Sequence, residues 1–228
     1  MRFLLIFLAI PAFAATCDGL KSLAIPNTTV VSTQTSAEVC KATFVAKPTA
    51  DSEIKIEVWM PPASKWNGNF VGVGNESYSG DLKTADMELA LQKGYAVAGT
   101  DTGHSGSDLK SFASHPEKVI DWSYRSVHVM TDTAKLALRM FYGRFPTRSY
   151  FYGCGTGGDQ GLSEAQRYPT DYDGIIAGAA GESRVRTNVG LLWNWKSTHD
   201  NGGFPAAKLK MVSERAASVC DPDRKSVV

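Results

Sequence analysis

The chain has 228 residues, 43% of them hydrophobic and 21% charged, values that suit one large globular domain or part of a larger one. Lys and Arg number 24 against 23 Asp and Glu, for a formal charge of +1, so composition offers no basic face and no nucleic-acid partner is expected. Aromatic residues make up 10% of the chain, which excludes the aromatic-poor composition of a disordered protein.

The chain opens MRFLLIFLAIPAFAA. Arg2 supplies a charged n-region, Phe3 to Ile10 an apolar run, and Ala12-Phe13-Ala14 a small-residue cleavage site. The run is too short to span a bilayer, and a short buried strand is the alternative reading. Residues 1–14 are expected to be a cleaved signal peptide, which makes the mature protein secreted and extracellular. In that oxidising setting Cys17 and Cys40, close in sequence, are the natural disulfide pair. Cys154 and Cys220 pair with each other, or each lacks a partner; spacing alone leaves both open. Asn27-Thr28-Thr29 and Asn75-Glu76-Ser77 are glycosylation sequons, making Asn27 and Asn75 the candidates. No C-x-x-C or H-x-x-x-H cluster is present, so no metal ligation is expected.

SEIKIEVWMP (Ser52 to Pro61) alternates apolar Ile54, Ile56 and Val58 with polar Lys55 and Glu57, the pattern of a half-buried strand stopped by proline. NFVGVGN (Asn69 to Asn75) is a short buried strand entering a loop. DLKTADMELALQKG has helical spacing through Leu82, Met87, Leu89 and Leu91 and stops at Gly94. A small-residue strand follows from Tyr95 to Gly99, then a polar loop. The longest helical pattern runs from Asp121 to Tyr142 and ends at Gly143. SYFYG (Ser149 to Gly153) predicts a strand, DQGLSEAQRYP a helix, and DGIIAGAAG (Asp173 to Gly181) another buried strand. Alternating β and α elements with near-continuous apolar strands predict an α/β domain with a mainly parallel sheet flanked by helices. From Glu182 onward the pattern decays, and LLWNW reads as the start of a lid or core helix.

The stretch YFYGCGTGGDQG (Tyr150 to Gly161) carries two signals. Gly153, Gly155 and Gly158 spell G-x-G-x-x-G, a dinucleotide-binding fingerprint. That fingerprint opens a βαβ unit and is followed by an acid at the end of the next strand. Here several elements precede it, and Asp171 and Asp173 come before the strand, so no cofactor is expected. The same residues match a nucleophile elbow, G-x-S-x-G on a tight strand-to-helix turn, in every part except the central serine.

The run FYGCGTGGDQGLSEAQRYPTDYDGIIAGAAG resembles the tannase and feruloyl esterase family, α/β-hydrolases that cleave esters of phenolic acids. KWNGNFVGVGN (Lys65 to Asn75), KGYAVAGTDTGHSG (Lys93 to Gly106) and HPEKVIDWSYRSVHVMTDTAKLALRMFYG (His115 to Gly143) agree with it, and the likeness extends from about Cys17 to Cys220. It implies an α/β-hydrolase-type sheet, a Ser–Asp–His triad and phenolic ester substrates. Carried over by position, Cys154 matches a structural cysteine that the family bonds near its catalytic histidine. Gly155 stands where the family has its nucleophilic serine, so no intact catalytic residue is expected and the chain is read as inactive. A non-catalytic module that holds phenolic esters is the alternative. The residues that match the oxyanion-hole region are Thr156, Asn75 and Glu76; a Glu76 carboxylate turned inward repels a developing oxyanion. Thr156 and Cys154 are weighed as substitute nucleophiles and set aside, Thr156 for its direction and Cys154 as structural. The triad order is serine, acid, histidine; His104, His115 and His128 precede the elbow, and His199 is the last histidine.

Cys220-Asp221 resembles the point where the family's lid begins a calcium-binding loop. Asp221 and Asp223 alone are too few acids for a cation that takes six to eight oxygens, and no calcium is expected. With the leader at 1–14, the resemblance divides the rest of the chain into a partial α/β-hydrolase domain at 15–181 and the start of a lid at 182–228. On this reading the chain ends before the lid and the last strands are complete, and Cys154 and Cys220 lack partners.

Overall fold

The computed structural model describes residues 16–107, 109–181, 183–199 and 202–220. The expected leader and the Asp221 and Asp223 positions lie outside them. The chain divides into two compact units, residues 1–181 and 182–228.

The first unit is built on seven strands: β1 (Thr28–Ser36), β2 (Val39–Ala46), β3 (Ile54–Met60), β4 (Asn69–Val73), β5 (Ala96–Thr100), β6 (Arg148–Cys154) and β7 (Gly174–Gly178). They lie in one sheet in the order β1-β2-β3-β5-β4-β6-β7. The block β5-β4-β6-β7 is parallel, as the sequence predicts, with Val71 opposite both Val97 and Tyr150. The other half departs from that expectation: β1, β2 and β3 form an antiparallel ribbon that joins β5 antiparallel. No sequence expectation covers β1 and β2. In TTVVSTQTS, threonine and serine occupy both faces of the strand, so no apolar alternation marks it.

The helices of this unit are α1 (Thr84–Gln92), α2 (Pro116–Ile120), α3 (Ser126–Tyr142) and α4 (Thr156–Arg167). The continuous helix expected from Asp121 divides: Asp121–Arg125 is a π-helical turn and α3 follows it. Arg125 braces the turn, bonding Asp121 at 2.5 Å, Glu117 at 2.7 Å and the Ser52 hydroxyl at 2.7 Å. α3 ends on Gly143 at φ 72°, where a left-handed residue closes a helix at least cost.

Strand alternation sorts side chains onto two faces. Phe44, Ile54, Ile56, Val58, Met60, Phe70 and Phe151 pack against Met130, Ala134 and Leu138 of α3. On the opposite face Trp59, Val73 and Val97 pack around Met87 of α1. Beyond α1 no described helix of the unit covers that face. Val71, Tyr150, Tyr152 and Ile176 line an open hollow of about 720 Å³. Cys17 and Cys40 form the predicted disulfide, which fastens the 3-10 helix Cys17–Ser22 to β2.

The second unit holds α5 (Arg184–His199) and α6 (Ala206–Cys220). Leu191, Leu192, Trp193 and Trp195 lie on different sides of α5, so no single apolar stripe advertises it; the LLWNW segment is helical all the same. No described helix is long and apolar enough to cross a membrane.

Candidate active site

β6 runs through the centre of the parallel block and stops at Cys154. In open α/β sheets, ligands bind outside the carboxyl ends of such strands. Gly155 follows at φ 61°, ψ −119°, and α4 begins at Thr156. That backbone conformation is one that side chains rarely adopt, the strained geometry of an elbow residue, and it aims the Cα substituent out of the turn. A Cβ built on Gly155 meets nothing within 4 Å. The backbone of a nucleophile elbow is therefore present, with open space where the side chain belongs.

The packing around the turn is tight everywhere else. A Cβ on Gly153 would come within 2.3 Å of the Gly157 carbonyl oxygen, and one on Gly158 within 2.2 Å of the Gly178 carbonyl oxygen. The three glycines that spell the cofactor fingerprint thus serve a strand-to-helix corner packed against β7. The Gly155 N–H donates to the Gly178 carbonyl at 3.0 Å, and the Asp159 N–H returns to the Gly155 carbonyl at 3.1 Å.

The loop after β4 lies directly against this corner: a Cβ on Gly157 would sit 2.9 Å from the Asn75 carbonyl oxygen. Of the three oxyanion-hole candidates, Thr156 opens α4, so its N–H is one of the terminal donors that a helix does not use internally. The Asn75 N–H donates to Gln160 Oε1 at 3.0 Å and is taken up by that side chain. The Glu76 carboxylate does not turn inward. It is an exposed partner of Lys83, which holds its pKa below the ordinary range through a hydrogen bond and its charge. Gln160 carries no motif signal, yet it ties the β4 loop to α4.

Asn75 is 3% exposed, and its amide donates to the Thr100 carbonyl at 2.8 Å and to the Asp81 carbonyl at 3.2 Å. The folded chain thus encloses the nitrogen that a glycan at Asn75 requires, whereas Asn27 is exposed at the turn before β1. Thr156 is 7% exposed, so its hydroxyl is not presented at the surface. Cys154 and Cys220 are exposed free thiols in different units.

The histidines are dispersed. His104 is buried, with Nε2 2.8 Å from the Tyr78 carbonyl oxygen and Nδ1 3.3 Å from the Thr102 hydroxyl. His115 pairs with Asp51 at 2.5 Å. His199 is on α5, stacked on Trp195. His128, on α3, meets Asp171 at 2.7 Å, and that hydrogen bond raises the histidine's pKa. Glu164 of α4 completes a cluster with these two residues. Sequence reasoning missed this cluster, since its members come from α3, α4 and the loop before β7 at no recognised motif spacing.

The family model described as tannase and feruloyl esterase matches residues 40–227. An uncharacterized esterase of Xanthomonas campestris pv. campestris is 33% identical over 91% of this chain and 39% of its own length. Feruloyl esterase B of Aspergillus niger is 32% identical over 92% of this chain and 40% of its own length. The chain therefore spans about two fifths of the curated relatives it matches. The crystal structure of feruloyl esterase B from Aspergillus oryzae superposes with a TM-score of 0.67 at 31% identity, covering 72% of this chain and 36% of that one. A tannin acyl hydrolase from Aspergillus niger shares the fold, with a TM-score of 0.58 at 19% identity over 72% of this chain and 36% of its own. The architecture is thus of the α/β-hydrolase esterase type.

Proposed function

The chain belongs to the tannase and feruloyl esterase family, and from that premise we propose that it carries a scaffold for carboxylic ester hydrolysis with no nucleophile at its elbow. In a serine esterase the hydroxyl attacks the ester carbonyl, a histidine takes the proton, and backbone N–H groups hold the resulting oxyanion. The N–H of Thr156 is the oxyanion donor that this corner supplies. Phenolic acid esters are the substrate class, by analogy with the feruloyl esterase B relatives. At Gly155 no oxygen attacks, so neither a tetrahedral adduct nor an acyl-enzyme forms there. The single observation that carries the reading is Gly155 itself, at φ 61° and ψ −119° with open space above it.

In the first unit His104, His115 and His128 are engaged by the Tyr78 carbonyl, Asp51 and Asp171, so none of them is offered as general base to a serine placed at 155. The test is hydrolysis of methyl ferulate, methyl gallate and p-nitrophenyl acetate by the purified chain and by Gly155→Ser. No turnover above the buffer blank is expected from either. Turnover by the unaltered chain refutes the inactivity, and turnover by Gly155→Ser alone refutes the missing base.

The same elbow also favours a second reading, a non-catalytic module that holds phenolic esters. Ethyl ferulate is then expected to raise the melting midpoint, and an unchanged midpoint at saturating ester counts against it. Secretion is supported by the leader pattern and the Cys17–Cys40 disulfide. In a glycosylating host, one glycan at Asn27 is expected, seen as a single mobility shift on enzymatic deglycosylation that Asn27→Gln abolishes.

A further inference from the structure

Away from the elbow, α3, α4 and the loop leading to β7 converge on His128, Glu164 and Asp171. One donor atom from each lies within 4.8 Å of the others. Glu164 is 0% exposed, and neither of its carboxylate oxygens has a hydrogen-bond partner. Asp171 is 6% exposed and already accepts from His128 Nδ1 at 2.7 Å. Apart from a proton shared with Asp171, the Glu164 carboxylate has no donor among the described residues. A buried carboxylate without a partner is costly, and groups of this kind are normally paired or bound to a metal.

We propose that His128 Nδ1, Glu164 and Asp171 form a binding site for a first-row divalent cation, with zinc as the best fit. One imidazole nitrogen and two carboxylate oxygens are a suitable zinc donor set, with a fourth position left for water. Ligand atoms around a tetrahedral zinc stand roughly 3.3 Å apart, given bonds near 2.0–2.1 Å, so the widest separation, within 4.8 Å, closes by about 1.5 Å while the 2.7 Å His128–Asp171 pair opens slightly. The surroundings fit a ligating histidine. Its other nitrogen, Nε2, is 3.6 Å from an Asp132 carboxylate oxygen, an ion-pair contact longer than a hydrogen bond. Its ring stacks on Tyr168 at 3.8 Å between centroids, which fixes the ring plane. Lys135 bonds the Asp171 carbonyl and holds the loop in place. Glu164 lies nine residues beyond Gly155 along α4, roughly 13 Å at 1.5 Å per residue. The cation is therefore structural, clamping α3, α4 and the β7 approach, and the inference does not rest on the esterase reading.

The test uses the full chain with Cys154 and Cys220 alkylated, so that thiols do not contribute. Equilibrium dialysis against zinc is expected to give one bound equivalent per chain and a raised melting midpoint. Glu164→Gln, nearly isosteric, is expected to weaken binding at least about tenfold. His128→Gln, at a half-exposed position, is the second variant and is expected to do the same. Cobalt substitution should give visible bands without thiolate charge transfer. An alkylated chain that binds no zinc, or whose midpoint zinc leaves unmoved, overturns the proposal in favour of a proton shared between Glu164 and Asp171. Zinc retained at full affinity by either variant overturns it as well.

Discussion

At the scale of single residues, glycines of one corner differ sharply in what they tolerate. Gly155→Ala is expected to remain folded and to lose about 1–3 kcal/mol, the cost of a side chain held in a sparsely populated backbone conformation. Its Cβ meets no neighbour. Gly158→Ala places a Cβ 2.2 Å from a carbonyl oxygen of the packed β7 strand, so little soluble folded protein is expected. Urea unfolding and soluble yield separate the two cases. Asp101 carries the clearest pH signature away from the proposed cation site. Burial pushes its carboxyl up to about 7, against the opposing pull of the Gly103 and Lys55 N–H groups and the Lys55 charge, with Glu53 adding to the rise. A folded-state pKa above the unfolded one contributes stability that is complete below about pH 4 and is lost as pH rises through about 7. The melting midpoint is expected to fall across that window, by roughly 2–4 °C for each kcal/mol lost, and Asp101→Asn to flatten the fall. The elbow was legible because glycine occupies the one position where the motif demands serine. The burial of Asn75 was not, since a sequon reports three residues and nothing of the Thr100 and Asp81 carbonyls that engage the amide. The His128, Glu164 and Asp171 cluster was equally silent, because its members meet only after α3 and α4 have packed.

At the scale of elements, legibility followed patterning. β3 announces itself through Ile54, Ile56 and Val58, and β6 and β7 through short apolar runs bounded by glycine. β1 stayed hidden behind its threonines, and the π-helical turn behind a helical periodicity that one widened turn barely disturbs. The concealed ribbon is also the part that the disulfide secures. Cys17 and Cys40 are 23 residues apart, and a closed loop of that size stabilises by roughly 3 kcal/mol. Cys17→Ser with Cys40→Ser is expected to lower the urea midpoint accordingly, while reduction of the unaltered chain gives the same loss. A midpoint indifferent to both means that the ribbon holds without its staple.

At the scale of the whole molecule, each unit leaves apolar surface of its own uncovered. In the first, Tyr150, Tyr152 and Ile176 stand exposed on β6 and β7, and β7 pairs with β6 alone among the described strands. Exposed apolar edges of this kind favour association. Ile176→Lys is therefore expected to reduce concentration-dependent light scattering without lowering the melting midpoint. The antiparallel ribbon bears on the order of events during synthesis. β1, β2 and β3 join strands that are neighbours along the chain, whereas Val71 finds Tyr150 only across α1, β5, α2 and α3. Contacts between near neighbours close a smaller loop and form sooner, and the amino-terminal part of a chain leaves the ribosome first. The ribbon thus becomes a template on which β5 docks, and the parallel strands with their elbow are added last. Pulse-labelled hydrogen exchange during refolding is expected to protect the amides of β2 and β3 ahead of those of β6 and β7.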